Sequence, residues 1–201
     1  METKQKTTLI QGSVAKGMLL FALPIFISNL FQQLYNMVDS WVVGNYVNDQ
    51  AFAAVGTVGP IVNTLIGFFS GLASGAGVVI SQYYGAGKYD RVRDAVHTAV
   101  MMTLVLSVAF TAIGIAMTPN MLRLMKTPAE VFPESRAYLN IYFSGMAGLM
   151  LYNMGAGILR AVGDSQRPLY FLIVCAVTNT VLDVVFVFCF HMGVARVALA
   201  T

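Results

Sequence analysis

Long stretches that are almost free of charged side chains constrain this chain more than any other feature of its sequence. Each stretch is longer than the roughly 20 residues that an α-helix needs to cross the hydrocarbon core of a bilayer. Asp39 and Asp183 are the only charged residues inside them. The stretches cover residues 17–48, 50–87, 95–122, 137–159 and 168–195.

The overall composition agrees with helices that lie in a membrane. Asp, Glu, Lys and Arg make up 10% of the residues, against roughly 25% in an average soluble domain. This is too little charge for the surface of a soluble enzyme or a basic nucleic-acid binder. A transmembrane β-barrel would show alternating segments of about ten residues, which the sequence lacks. The sequence therefore predicts an all-α polytopic membrane helix bundle. Five transmembrane helices are expected near residues 17–44, 51–84, 95–118, 137–159 and 168–190, with the start of a sixth near Met192.

The distribution of Lys and Arg predicts the orientation in the membrane. The N-terminus and the second and fourth connections carry eight of the twelve basic residues, and short loops rich in Lys and Arg stay in the cytoplasm. We therefore expect an integral protein of the plasma (inner) membrane with a cytoplasmic N-terminus. The eight residues are Lys4, Lys6, Lys16, Lys88, Arg91, Arg93, Arg160 and Arg167.

Two acidic residues inside the predicted spans mark the strongest candidate site. A charge at the bilayer centre costs at least about 2.5–3.5 kcal/mol, so such residues normally face a bundle interior or a watery cavity. Asp39 shares one helical face with three other polar residues, and Asp183 shares a face with Asn179. No basic residue lies mid-span to pair with either acid, which favours a proton or cation site over polar contacts that only join helices. The partners of Asp39 are Gln32, Tyr35 and Asn36.

Two backbone features are expected to shape the first two helices. Pro24 removes a backbone hydrogen bond inside the first span and should bend that helix, either as a fixed kink or as a hinge. In the second span, Gly67, Gly71 and Gly75 recur at every fourth position, a spacing that lets helix backbones approach closely. We expect this glycine face to pack tightly against another helix.

Motifs of catalysis and of tightly bound cofactors are missing from the sequence. No P-loop, nucleophile elbow or dinucleotide fingerprint occurs. No His/Cys/Asp cluster has the spacing of a metal enzyme. We therefore expect that the protein is not an enzyme, has no cofactor and does not bind nucleic acid.

Several segments, by their order and spacing, give the chain a family resemblance. They run from Ala22-Leu23-Pro24 and Gln33–Asp39 through Val42-Val43-Gly44, Ser81–Gly87, Gly157–Asp164, Arg167-Pro168 and Asn179–Asp183 to Gly193-Val194-Ala195 and Ala198–Thr201. With these segments the chain resembles the prokaryotic branch of the multidrug and toxic compound extrusion (MATE) transporters, from about Gly12 to Thr201.

The resemblance implies a secondary antiporter with twelve helices in two six-helix lobes. Such a protein exports organic, often cationic, compounds in exchange for H⁺ or Na⁺. The resemblance also implies a cation or proton site, with a substrate cavity beside it. The cation-site residues are Tyr35, Asp39, Asn179, Asp183 and Thr201, of which all but Tyr35 would hold Na⁺ in a sodium-coupled member. The cavity residues are Gln32, Asn36 and Asn153.

Residues 1–201 are accordingly expected to form the N-terminal lobe, ending at the start of helix six, with the C-terminal lobe absent. The expected partners are drug-like or cationic small molecules, the lipid bilayer and the missing lobe. Two alternatives stay open: a flippase for lipid-linked precursors, and an inert or partner-dependent membrane remnant. A flippase should have a cavity rich in Arg and Lys, and no basic residue lies mid-span.

Overall fold

The computed structural model describes residues 14–46 and 49–190, and for residues 14, 35–36, 38–46, 49–52, 54–55 and 182–190 it describes the backbone alone. These parts of the chain are helical and contain no strand, which confirms the predicted all-α fold. The expected sixth helix from Met192 lies outside them. The helices are α1 (Val14–Tyr46), α2 (Asp49–Gly85), α3 (Tyr89–Leu124), α4 (Phe132–Ala161) and α5 (Gln166–Phe190).

Three segments among the described residues are long and apolar enough to cross a membrane by length and composition. They are Ala15–Leu34 in α1, Gly56–Gly85 in α2 and Tyr89–Leu124 in α3. The fourth helix, α4, packs against α2, α3 and α5. A helix in this position exposes less of its surface to lipid, so it tolerates a more polar composition than a peripheral helix.

The helices α2 and α4 run side by side in the same direction and meet through small residues. The Ser70 hydroxyl donates a hydrogen bond to Asn153 Oδ1 at 3.3 Å. One turn further along, a Cβ atom added to Gly157 would lie 3.0 Å from the carbonyl oxygen of Ala73 and 3.3 Å from its Cβ. A Cβ at Gly77 would lie 3.5 Å from the carbonyl oxygen of Gly157. Small side chains therefore let these two backbones approach closely.

The helices α3 and α4 run in opposite directions and, together with α2, contribute to the largest cluster of buried side chains among the described residues. The Phe143 ring lies directly on the backbone of Gly114, where an added Cβ would come within 2.6 Å of the ring carbon Cγ. The hydroxyl of Thr111 donates to the Phe143 carbonyl oxygen at 3.0 Å. The cluster around this contact consists of Val58, Phe69, Leu122, Val131, Tyr138, Leu139, Phe143, Met146 and Met150.

The expected packing of the α2 glycine face is wrong for the described residues. A Cβ atom added to Gly67, Gly71 or Gly75 would have no heavy atom of another described residue within 4 Å. The close approach uses Ala73 and Gly77 instead, which lie on the other side of α2 because successive residues turn by about 100°. A four-residue glycine spacing identifies a face that a neighbour could approach, but the neighbour's own side chains decide whether it does.

Three helices end in the same backbone arrangement. Gly87 and Gly163 follow α2 and α4 with φ of 70° and 88°, and Lys126 follows α3 with φ of 54°. The next amide in each case donates back across the last turn, as from Asp164 to the Leu159 carbonyl at 2.9 Å. These are Schellman motifs, which satisfy the last carbonyl groups of a helix. They keep the α2–α3 and α4–α5 connections short. Because α2 and α4 run in the same direction, these two connections lie at the same end of the bundle.

Candidate functional site

The helices that carry the two predicted polar faces, α1 and α5, pack against each other. These two helices form one of the main helix pairs of the fold. On α1 the buried positions include Pro24 and Ser28, and on α5 they include Pro168, Leu172 and Asn179. In a two-helix contact the buried face of each helix is the face that other helices cover.

Pro24 lies inside α1 without interrupting it. Proline has no amide hydrogen, so one carbonyl of the preceding turn loses its helical partner. The hydroxyl of Ser28 donates to the Pro24 carbonyl oxygen at 2.8 Å, and such a back-bonded hydroxyl often bends a helix. In α2, Thr64 donates to the Pro60 carbonyl oxygen at 2.7 Å in the same way. The fixed-kink and hinge interpretations of Pro24 both remain compatible with this geometry.

Asn179 is the one predicted cation-site residue whose side chain is described. It is 9% exposed, although it carries a polar amide in a largely apolar helix. A buried amide is stable only when its polar atoms find partners. Its burial therefore agrees with a polar interior next to α5.

The other predicted cation-site side chains, those of Tyr35, Asp39 and Asp183, lie outside the described residues, and so does Thr201 entirely. Backbone geometry places Tyr35 and Asp39 in α1 and Asp183 in α5. Elsewhere in the described ranges, no group of three or more His, Cys, Asp or Glu side chains could hold a metal ion.

The three predicted cavity residues fall in different surroundings. Gln32 is exposed on α1, and the side chain of Asn36 is not among those described. Asn153 lies at the α2–α4 contact, where it accepts from Ser70 and its amide nitrogen donates to the Leu149 carbonyl oxygen at 2.9 Å. The side chain of Asn153 therefore joins two helices as well as facing the region between them.

Sequence reasoning missed a groove between α2 and α3. These helices contact each other much less than either contacts α4, and the space between them has a volume of about 560 Å³. Its walls include Gly71, Gly75 and Tyr83 of α2 and Arg91 and Met102 of α3, with Met154 of α4 between them. The signal in the sequence was the pair Gly71 and Gly75, which lines a groove because no helix among the described residues packs on it.

The α4–α5 connection is held by an acidic cap. One carboxylate oxygen of Asp164, Oδ1, accepts from the backbone amides of Gln166 and Arg167 at 3.2 and 3.1 Å. The other, Oδ2, lies 3.1 Å from Nε of Arg167. An acid that satisfies free amides at a helix start stabilises the helix by about 1 kcal/mol. The Gly-Asp and Arg-Pro pieces of the resemblance therefore have a structural role in starting α5.

Large apolar side chains cover the outside of the bundle. Leu19, Leu23 and Phe26 on α1 and Val105 and Val108 on α3 each have more than half of their surface exposed. Soluble monomers rarely expose contiguous apolar patches larger than a few hundred Å². Long helices with apolar outer faces and short connections define a polytopic helical membrane protein.

Comparisons with known proteins agree that this is a helical membrane protein and identify its family. A sequence profile of the MatE family matches residues 24–185. The chain is 35% identical over 191 residues to the probable multidrug resistance protein YpnP of Bacillus subtilis strain 168, and the match covers 95% of this chain and 43% of that protein. It is 37% identical over 186 residues to the probable multidrug resistance protein YoeA of the same strain, with 90% and 40% covered.

A solved structure gives the same result for the fold. An outward-facing multidrug resistance MATE family transporter of the MOP superfamily matches with a TM-score of 0.92 and 26% identity, over 100% of this chain and 44% of that one. The chain belongs to the MatE family, as the resemblance predicted. This is a family of membrane transporters and not of enzymes. The chain spans less than half the length of the relatives that it matches.

Proposed function

We propose that the chain forms the N-terminal lobe of a secondary active multidrug antiporter of the plasma membrane. The complete transporter exports organic, often cationic, compounds in exchange for H⁺ or Na⁺ and uses no further cofactor. The names of the two Bacillus relatives support the substrate class. The pairing of α1 with α5 is the observation that carries the proposal, because these helices hold the two intramembrane acids.

Helical geometry supports a common location for the two acids. Eleven residues separate the buried Ser28 from Asp39, and eleven separate the buried Leu172 from Asp183. Eleven residues are about three full turns of an α-helix, so each acid falls on the same face as its buried predecessor. Asn179, one turn before Asp183, is itself buried. The buried face of α5 therefore leads to Asp183, whereas the described side chains of α1 after Ser28, at positions 29–34 and 37, are exposed.

Two carboxylates on packed helices make a site that a cation can control. In a medium of low dielectric constant they repel each other, and a bound proton or Na⁺ removes that repulsion. Carboxylate, amide and hydroxyl oxygens are ligands that suit a hard cation. Occupancy would favour close packing of α1 on α5, and release would let α1 bend at Pro24. The available energy is about 1.4 kcal/mol per pH unit and about 2.3 kcal/mol per charge per 100 mV.

Charge-neutralising substitutions test this site in the complete reading frame that contains residues 1–201. Asp39→Asn and Asp183→Asn keep the side-chain shape but remove the charge, so each should abolish H⁺- or Na⁺-coupled efflux of a cationic dye from everted vesicles. The double variant should lose little more than either single one, because the acids act as a unit. Asp90→Asn, at an exposed position beside the α2–α3 connection, is the matched control and should transport normally. Normal efflux by Asp39→Asn at equal expression would contradict the proposal.

The orientation of the lobe is tested separately. The α2–α3 and α4–α5 connections share one end of the bundle and are flanked by Lys88, Arg91, Arg93, Arg160 and Arg167. By the positive-inside rule this end is cytoplasmic. A reporter that is active only in the cytoplasm should therefore give a signal when it is fused at Asp90. A reporter that is active only outside the cytoplasm should give a signal when it is fused at Asp49. The reverse pattern would overturn the orientation without touching the cation site.

A further inference from the structure

The groove between α2 and α3 has the dimensions and chemistry of a lipid site. It extends along α2 from Gly71 to Tyr83, which is about 18 Å at 1.5 Å per residue. One leaflet of the hydrocarbon core is about half of its roughly 30 Å thickness. The groove is therefore about as deep as one leaflet and runs parallel to the acyl chains beside it.

The inner part of the groove is mainly apolar, and the hydroxyl of Thr98, which also lines it, donates to the Asp94 carbonyl oxygen at 2.8 Å. Leu72, Ala76 and Val79 line it from α2, and Ala95 and Ala99 line it from α3. Gly71 and Gly75 contribute no side chain, and a Cβ at either would have nothing among the described residues within 4 Å. A flexible hydrocarbon chain can fill such a space, where water would find few hydrogen-bond partners.

The outer end of the groove is polar, and its charges are expected to lie at the level of the headgroups. Arg91 and Asp94 of the first turns of α3 line it together with Tyr83. Among the described residues no carboxylate forms a salt bridge with Arg91. The segment from Lys88 to Asp94 holds three basic and two acidic residues. Its net positive charge attracts a phosphate group, while Asp94 can accept hydrogen bonds from headgroup hydroxyls.

We propose that this groove binds one anionic phospholipid with a hydroxyl-bearing headgroup, of the phosphatidylglycerol type. Its phosphate pairs with Arg91, a glycerol hydroxyl donates to Asp94, and one acyl chain lies along Gly71 and Gly75. The lipid fills the space that the weak α2–α3 contact leaves open. The binding requires only that the lobe is in a membrane, and it is independent of the ion coupling proposed above.

The test is native mass spectrometry of the purified, delipidated protein, expressed from the complete reading frame that contains residues 1–201 and titrated in detergent with dioleoyl phosphatidylglycerol or with dioleoyl phosphatidylcholine. The acyl chains are identical, so the ratio of affinities reports the headgroup. The chain should bind one phosphatidylglycerol at least tenfold more tightly than phosphatidylcholine. Equal affinity for the two lipids would overturn the proposal.

Two matched pairs of variants locate the site. Gly75→Leu places a side chain in the groove and should lower phosphatidylglycerol affinity at least tenfold. Gly67→Leu makes the same change two turns away, outside the groove and with equally open surroundings, and should leave the affinity unchanged. An equal loss in both variants, or in neither, would contradict binding along Gly75.

The second pair separates a specific contact from general attraction and does not depend on the folding of a leucine variant. Arg93→Gln removes a neighbouring charge that does not line the groove. It should lower the affinity for phosphatidylglycerol about fivefold, which is the general effect of one basic residue near a membrane surface. Arg91→Gln also removes direct hydrogen bonds to the phosphate. It should lower the affinity for phosphatidylglycerol at least tenfold more than Arg93→Gln does. Equal losses would show surface attraction only. A dimer of the wild-type chain that Gly75→Leu dissociates would show a second copy in the groove, and would also overturn the proposal.

Discussion

On the side of the bundle where α2 and α3 meet α4, glycine and alanine lie directly against neighbouring atoms, whereas between α2 and α3 the same residue types line empty space. Gly114 and Gly157 belong to the first region, which we call the α4 seams. Gly71 and Gly75 belong to the second, the α2–α3 groove. Both regions lie within the same three helices, so helix composition alone does not separate them.

What separates the regions is the side chain that the partner helix presents at the same level. At the seams, α4 places the Phe143 ring on Gly114 and its own Gly157 against Ala73. A hydrogen bond from Thr111 then fixes the register of α3 against α4, and one from Ser70 fixes the register of α2 against α4. In the groove α3 contributes Ala95, Ala99 and Met102, and none of their atoms would lie within 4 Å of a Cβ added to Gly71 or Gly75. Among the described residues that line the groove no hydrogen bond joins α2 to α3, and the gap between the two helices can hold another molecule.

The largest effect is expected for Gly114→Ala in the α4 seams. The new Cβ would overlap the Phe143 ring, which is 1% exposed and cannot swing into open space. Overpacking a buried contact costs about 1–3 kcal/mol, and we expect the upper end because the Phe143 backbone is held by Thr111. Thermal unfolding in detergent, followed by circular dichroism, should show a clearly lowered midpoint.

Gly145→Ala is the control for this prediction, because a Cβ at Gly145 has nothing among the described residues within 4 Å. It should leave the midpoint unchanged or slightly raised. The double variant Gly114→Ala with Phe143→Leu should recover part of the loss, since the smaller side chain makes room. An unchanged midpoint for Gly114→Ala alone would mean that the α3–α4 seam is looser than the structure indicates.

The helices themselves could be predicted from the sequence, because charge is excluded from lipid wherever it is unpaired. The ends of the helices could not. The third span was expected at 95–118, but α3 runs from Tyr89 to Leu124. Its charged first turn, with Asp90 and Arg91, can be helical beyond the hydrocarbon core, where charge costs little. Absence of charge therefore marks the lipid-embedded part of a helix and underestimates its length.

The candidate cation site stays a prediction, and the burial of one of its residues agrees with it. Helical spacing groups Asn179 with Asp183 on one face, and the structure buries Asn179. The partner helix could not be derived from spacing, because it depends on how α1 packs in three dimensions. The pairing of α1 with α5 supplies that information. The glycine face of α2 shows the opposite case, in which a spacing rule was applied without knowing the partner and gave the wrong contact.

A second, smaller effect is expected for Gly157→Ala. The added Cβ would lie 3.0 Å from the Ala73 carbonyl oxygen, which belongs to the backbone and cannot rotate away. The two helices must separate by a few tenths of an ångström, which also stretches the Ser70–Asn153 hydrogen bond one turn away. We expect a loss of about 1 kcal/mol in the free energy of unfolding. Ala73→Gly in the same chain removes the opposing Cβ and should restore part of the loss. No recovery in this double variant would identify the Ala73 carbonyl oxygen, and not its Cβ, as the contact that costs stability, whereas an unchanged free energy of unfolding in Gly157→Ala alone would contradict the close α2–α4 approach.

The smallest effect, and the one of opposite sign, is expected for Gly71→Ala in the α2–α3 groove. A Cβ there meets nothing among the described residues within 4 Å, so the substitution causes no overlap. Alanine also loses less conformational freedom than glycine when a helix forms, which favours the folded state by about 0.5–1 kcal/mol. The unfolding midpoint of Gly71→Ala in lipid-free detergent should therefore rise slightly, while that of Gly157→Ala falls, although both are the same substitution in helices of one bundle. A methyl group is too small to exclude an acyl chain from a groove of this volume, so this gain should persist when phosphatidylglycerol is added. A loss of stability in Gly71→Ala would mean that another part of the protein packs on this face of α2. Gly71 would then be a packing position like Gly157, and the α2–α3 groove would not differ from the α4 seams.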